Sequence, residues 1–215
     1  MKHSITYHTV PRETFKATDK IIEKHRASLE DYLELLMWWN QRVNLVSRNV
    51  SRETVWEHIR HSLLIHNSVP FSKAAVVTDA GTGGGLPGIP LAITHRDKEF
   101  VLNDIVTKKT MAVRQMINKL GLSNSTAADK SVEGLTLNTP FLLISKHAFK
   151  IDQLFAMARH LPWTEMVFYK GLNFEGELTE VSAPLLVEAF DLSGGSSDPF
   201  YEDKALILIK RLRRF

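Results

Sequence analysis

The chain contains no cysteine, which removes disulfides, thiolate metal sites and any mechanism that runs through a covalent cysteine adduct. It has no apolar run of 18 or more residues, the length that spans a bilayer. Its polar beginning, MKHSITYHTVPRETFK, lacks the hydrophobic segment of a secretory signal. A cytoplasmic location without membrane attachment is the default expectation. Charge of one sign is scarce as well. Lys and Arg number 27 against 24 Asp and Glu, and the resulting +3 permits an anionic partner without requiring one. Internal repeats and long linkers are absent. What remains is 215 residues, 44% hydrophobic and 24% charged. That suits one well-buried α/β domain with an appendage and is too short for two full domains.

The most informative stretch is Ala74 to Ile93, AAVVTDAGTGGGLPGIPLAI. Val76 and Val77 suit a strand buried on both faces. Asp79 stands where that strand ends, beside the crevice in which open α/β sheets bind ligands. Gly81, Gly83, Gly84 and Gly85 allow a sharp turn and close approach to a ligand, and Pro90 fits the first turn of a helix starting near Leu91. Two registers compete. Gly83-x-Gly85-x-x-Gly88 spells the dinucleotide fingerprint, but that fingerprint needs an apolar strand running up to its first glycine, and Thr78 to Thr82 stand there instead. Asp79-x-Gly81-x-Gly83-x-Gly85 is the pattern of S-adenosylmethionine-dependent methyltransferases, whose cofactor is cationic and tolerates an acid at the strand end. A plain glycine-rich turn is the third reading.

Upstream, Lys16 to Asn40 carries apolar residues at helical spacing and is expected to form one helix, with Trp38 and Trp39 packed on the main domain in preference to the alternative, stacking on bases. An irregular piece, Asn44 to Arg48, precedes a helix capped by Ser51. Residues 1–70 thus read as a helical cap after a mobile start, and 71–215 as a cofactor-binding domain. From Ala74 strands and helices alternate. Strands are expected at Phe100–Asn103, Thr126–Ala128, Phe141–Ser145 and Met166–Tyr169, with helices at Lys108–Leu120 and Ile151–Leu161. Leu185–Leu192 and Ala205–Lys210 have no helix between them and should pair antiparallel. The expected fold is α/β and Rossmann-like, a seven-stranded, mostly parallel sheet with an antiparallel last strand.

Asp104 lies 23 residues beyond Gly81 at the end of the next strand, where a carboxylate can accept hydrogen bonds from both ribose hydroxyls. Asp129 and Glu133 flank the end of the third strand, near an adenine edge. Several methyl acceptors are excluded. Carbon-5 pyrimidine methylation needs a cysteine. Exocyclic amine methylation uses an Asn/Asp-Pro-Pro-aromatic tetrad after the fourth strand, whereas Asn138-Thr139-Pro140-Phe141 precedes it. An acceptor that already owns a lone pair, such as guanine N7, needs alignment more than a general base. Basic residues are spread over Arg42, Arg48, Arg52 and Arg60, over Lys108, Lys109 and Arg114, and over Lys210, Arg211, Arg213 and Arg214. His58 and His61 lie three apart, but no third ligand is placed to make a metal site.

These segments together resemble the RsmG (GidB) family, methyltransferases of guanine N7 in small-subunit ribosomal RNA. The resemblance rests on Asp79 to Ala92, on Trp39-Asn40 with Asn44-Leu45-Val46-Ser47-Arg48, on Glu57-His58 and His61-Ser62-Leu63, on Asp104 with Lys108-Lys109, and on Lys170-Gly171. It implies S-adenosylmethionine as cofactor, held by Asp79, Gly81, Thr82, Gly83, Gly85, Leu86, Asp104, Asp129 and Glu133. It implies 16S rRNA or the small ribosomal subunit as partner, met by Arg48, Lys108, Lys109, Arg114 and Lys170. His58, Ser145 and Lys146 are then expected to position the acceptor, with no metal and a monomeric protein. The chain departs from the family where Ser145-Lys146-His147-Ala148 replaces Ser-Arg-Ala, which loses a bidentate fork, and near Lys130-Ser131, where an arginine is missing. A non-catalytic cofactor- or ribosome-binding relative is the alternative, and a nicotinamide-dependent oxidoreductase a distant one.

Overall fold

The computed structural model describes residues 3–211. Arg213 and Arg214, named above as basic residues, lie outside the described residues. The chain begins with strand β1 (Ser4–Thr9) and helices α1 (Arg12–Lys24), α2 (Arg26–Asn40), α3 (Arg52–Leu63) and the short α4 (Val69–Lys73). Alternation follows: β2 (Val76–Ala80), α5 (Gly88–Thr94), β3 (Glu99–Asp104), α6 (Thr107–Lys119), β4 (Ser125–Asp129), β5 (Phe141–Lys146), α7 (Ile151–Met157) and β6 (Trp163–Gly171). β7 (Leu185–Asp191) and β8 (Lys204–Arg211) are the last strands of the described residues. No described helix is long and apolar enough to cross a membrane.

All eight strands form one sheet in the order β1-β7-β8-β6-β5-β2-β3-β4. Strands β2 to β6 run parallel, and β8 inserts antiparallel between β6 and β7 as expected. The eighth strand is the unexpected one. Residues 4–9 pair parallel with β7, Ser4 opposite Leu186 through Thr9 opposite Asp191, where a mobile start was expected. As an exposed edge strand, β1 needs no alternation of apolar residues. Its signal lies in the free edge of β7, not in its own residues.

Alternate residues of the central strands feed two cores. Leu142, Ile144, Val167, Tyr169, Leu206 and Leu208 pack on one face, beneath α1, α2, α3, α5 and α6. Phe141, Leu143, Met166, Phe168, Ile207 and Ile209 pack on the other, with α7. The N-terminal helices therefore form part of one covering layer of the sheet. The expected single helix over Lys16–Asn40 is two helices that break at His25, φ −115° and ψ 17°. A straight rod over Arg12–Asn40 would reach ~43 Å, and the break folds it back over the sheet. No proline or glycine marks the place. Ser51 caps α3 by accepting from the Thr54 amide at 3.1 Å, and Gly121 (φ +60°) ends α6. Trp39 packs against the core, but Trp38 is 48% exposed with the Arg42 guanidinium 3.5 Å from its ring centre. The expectation that both tryptophans pack inward therefore fails for Trp38, which projects from the outer face of α2.

Candidate active site

The sheet order changes direction between β2 and β5, and such switch points open a crevice at the carboxyl ends of the strands. A cleft of about 600 Å³ lies there, lined by the glycine loop, the 45–47 segment, the end of β3 and residues 146–149. The loop leaves β2 sharply, with Gly81 at φ +72° and Gly83 at φ +56°, values that disfavour any side chain. A Cβ on Gly81 would stand 2.4 Å from the Ala148 Cβ.

Two carboxylates hold the loop from opposite sides. Asp79 lies beneath it, fully buried. One oxygen accepts from the Thr82 hydroxyl at 2.7 Å and the Gly88 amide at 2.9 Å, while the other has no partner among the described residues. Burial pushes Asp79 up to about 7, against the pull of Thr82, Gly88 and the Lys146 charge. Asp79 does not line the cleft, and neither does Gly85; both are placed to shape the loop from below. Asp104 lines the cleft. Its two oxygens accept from the Gly83 amide at 3.0 Å and the Val106 amide at 2.9 Å, which ties β3 to the loop and leaves further lone pairs available. Thr82, Gly81, Gly83 and Leu86 also line it.

Asp129 and Glu133 sit differently from these. Asp129 is level with Asp104 across the β3–β4 pair, exposed, and accepts from Thr107 at 3.3 Å. Glu133 is exposed and accepts from Ser131 at 3.2 Å. Neither borders the cleft.

The opposite wall comes from β5 and α3, which are far apart in sequence. Lys146 Nζ lies 2.9 Å from His58 Nδ1, and both line the cleft. Burial lowers Lys146 to about 7, with Asp79 opposing the shift and Lys204 adding to it. Burial and then the Lys146 charge bring His58 down to about 3, so its ring is neutral and its Nδ1 can accept from the ammonium. His147, at φ +55°, lines the same wall and is lowered to about 4, mainly by burial. Ser145 points the other way: its hydroxyl donates to the Ala80 carbonyl at 3.0 Å and pins β5 to β2. It does not reach the cleft. His61 is fully buried against Tyr169, Phe200 and Tyr201 and does not line the cleft, although it shares Phe200 with His58.

The 41–48 segment is held by Asn40. Its side chain donates to the Ser47 carbonyl and accepts from the Leu45 and Val46 amides at 2.9 Å, so that Leu45, Val46 and Ser47 face the cleft. Tyr32, buried in α2, donates to the Gly84 carbonyl at 3.0 Å. Asn40 entered the family resemblance only as part of a motif, and the motif gives no role. Tyr32 carried no signal beyond helical periodicity.

The basic residues divide. Lys109 lines the cleft, with Lys108 exposed beside it and Arg48 exposed on the 41–48 segment. Arg114 donates to the Ala127 carbonyl at 3.3 Å. Lys170 is committed to Glu177 at 2.8 Å. Arg60 makes a two-pronged pair with Asp19, and Arg52 pairs with Glu34. Lys210 pairs with Glu188 at 3.4 Å, and Arg211 lies over the Trp163 ring.

A sheet of this order, with a glycine loop after β2 and a carboxylate closing β3, defines a Rossmann-like methyltransferase scaffold. Solved structures share it. S-adenosylmethionine-dependent methyltransferase SibL in its apo form is 12% identical with TM-score 0.57, covering 75% of this chain and 57% of its own. Magnesium protoporphyrin IX methyltransferase from Synechocystis PCC 6803 with bound SAM is 17% identical with TM-score 0.52, covering 76% and 86%. The chain belongs to the GidB family, rRNA small subunit methyltransferase G, whose model matches residues 25–193. The Ribosomal RNA small subunit methyltransferase G of Chlorobium limicola is 37% identical over 218 aligned positions, covering 95% of each chain.

Proposed function

We propose that this chain transfers the methyl group of S-adenosylmethionine to N7 of a guanine in 16S rRNA. The observation that carries the reading is one cleft with two unlike walls: a glycine loop braced by Asp104, and a Lys146–His58 pair. Family membership supplies the acceptor class.

The residues fit the donor. Gly81 and Gly83 leave a backbone cradle that a side chain at Gly81 would disrupt, and Asp104 presents acceptor oxygens suited to a ribose diol. Bound there, S-adenosylmethionine supplies an electrophilic methyl group on a cationic sulfur. His58 is neutral across the physiological range and adds no charge beside that cation. N7 of guanine carries a free lone pair and no proton, so no base is required, and the protein's work is alignment and exclusion of water. Lys146 and His58 stand where they can orient the acceptor base, and Ser145 contributes by fixing the register of the strand that carries Lys146. Arg48, Lys108 and Lys109 lie around the mouth, where phosphates would meet them. The dinucleotide register has less support. The second glycine of that fingerprint, Gly85, would have to let the backbone approach a pyrophosphate, yet it does not line the cleft.

Calorimetry with S-adenosylmethionine tests the first half. Asp104→Ala is expected to weaken binding by about a hundredfold, the loss of hydrogen bonds to a charged group; undiminished binding refutes the ribose role. Deletion of the gene, followed by mapping of N7-methylguanine in 16S rRNA by borohydride and aniline cleavage, tests the second. A modification pattern identical to the parent strain sinks the assignment. Cofactor binding without methyl transfer would instead identify a binding-only relative.

A further inference from the structure

The active-site cleft shares two walls with a second opening. The cleft takes Leu45 to Ser47 from the 41–48 segment and Lys109 from the start of α6. On the far side of the same two elements lies a groove of about 960 Å³ between α2 and α6. Trp38 and Val43 stand on one side of it, and Lys108, Met111 and Lys119 on the other. Val43 and Lys108 line the groove, and Leu45 and Lys109, their near neighbours in sequence, line the cleft.

The groove's surface is unusual for one that faces solvent. Trp38 is 48% exposed and Met111 55%. Lys108, Met111, Gln115 and Lys119 recur at spacings of three and four, so α6 presents them as one stripe. The Arg42 guanidinium lies 3.5 Å from the Trp38 ring centre, which makes a composite platform of cation and indole. The lining carboxylate, Glu34, is already paired with Arg52. Among the described residues neither Lys108 nor Lys119 forms an ion pair. Lysine is depleted in the cores of protein–protein interfaces, whereas an aromatic platform rimmed by free cations matches single-stranded nucleic acid.

We propose that the α2–α6 groove is a second RNA subsite that receives unpaired nucleotides flanking the methylated guanine. A base stacks on the Trp38–Arg42 platform, and phosphates meet Lys108 and Lys119. The inference rests on the RNA reading above. A base that enters a cleft leaves its stack, and its neighbours are then open to stacking on aromatic side chains.

Two variants test it: Trp38→Ala and Lys119→Ala, both at exposed positions, with melting curves to confirm folding. Affinity is measured for naked 16S rRNA and for small subunits, both from a strain lacking the enzyme, over a range of salt. Trp38→Ala is expected to weaken RNA binding about tenfold, within the range for one stacked base, and to raise KM while kcat and S-adenosylmethionine affinity stay unchanged. Trp38→Phe should recover most of the loss. Lys119→Ala should flatten the slope of log affinity against log salt by about 0.7, one single-strand phosphate. Unchanged RNA affinity in both variants, with methylation intact, overturns the subsite and leaves the proposed function standing. A loss confined to assembled subunits, with naked RNA unaffected, puts a ribosomal protein in the groove and also overturns it. Failure of the unmodified protein to bind RNA at all overturns the underlying functional reading.

Discussion

A comparison of three glycine-to-alanine substitutions separates the two demands that the glycine loop makes on its backbone. Gly81 sits at φ +72°, and a Cβ there would lie 2.4 Å from the Ala148 Cβ and 2.9 Å from Phe149 Cε2. The left-handed conformation costs ~1–2 kcal/mol for alanine, and forcing a methyl group against packed neighbours adds ~1–3 kcal/mol. Gly121 shares the backbone demand, φ +60°, but has no atom within 4 Å of the added carbon. Gly176 has neither constraint. For a chain of this size each kcal/mol moves the melting temperature by ~2–4 °C. The expected losses are therefore roughly 4–20 °C for Gly81→Ala, roughly 2–8 °C for Gly121→Ala, and close to none for Gly176→Ala. Differential scanning calorimetry on the three variants gives the ranking, and titration with S-adenosylmethionine should show affinity lost only for Gly81→Ala. A Gly81→Ala variant that melts no lower than Gly121→Ala would show that the loop is not packed against residues 148–149.

Three further outcomes follow from the buried polar groups. Asp79 ionises near 4 in the unfolded chain and about 7 in the folded one, so its contribution to stability is greatest below pH 4. That contribution falls by up to ~4 kcal/mol as pH rises to 7 and is flat above. Asp79→Asn should remove this decline, and urea denaturation curves that stay parallel to the parent from pH 4 to 7 would contradict it. Lys146 is the converse. The unfolded chain keeps its proton to about 10.5 and the folded chain loses it about 7, so stability should rise between pH 7 and 10 in the parent and not in Lys146→Met; the same denaturation series reads both windows. Tyr32→Phe leaves the buried Gly84 carbonyl without its donor. It should cost ~1–2 kcal/mol and weaken S-adenosylmethionine binding, and a variant with unchanged melting and unchanged affinity would remove Tyr32 from the support of the loop.

Some features needed no tertiary information. The strands Val76–Ala80, Glu99–Asp104 and Phe141–Lys146 announce themselves as apolar runs, and they carry the glycine loop and Asp104 to one end of the sheet. The antiparallel pairing of β7 and β8 followed from the missing helix between them. By contrast, β1 is polar and exposed. The break at His25 has no local breaker, and the direction in which Trp38 points depends on where α2 lies on the sheet.

Sharper still is the difference between two neighbours on one strand. Ser145 and Lys146 entered with the same expectation, yet the pleat turns one to the Ala80 carbonyl, 65 residues away, and the other to His58, 88 residues away. Asp79 and Asp104 both end strands beside the glycine loop, but one is spent beneath it and the other opens on the cleft. Lys170 matched a family motif and is neutralised by Glu177. Scaffold and glycine loop were legible along the chain, because both depend on short-range patterns of hydrophobicity and backbone freedom. Which side chains face the cleft was decided only in three dimensions. That depends on partners brought together by the sheet order and on the charge and hydrogen bonds each side chain finds there.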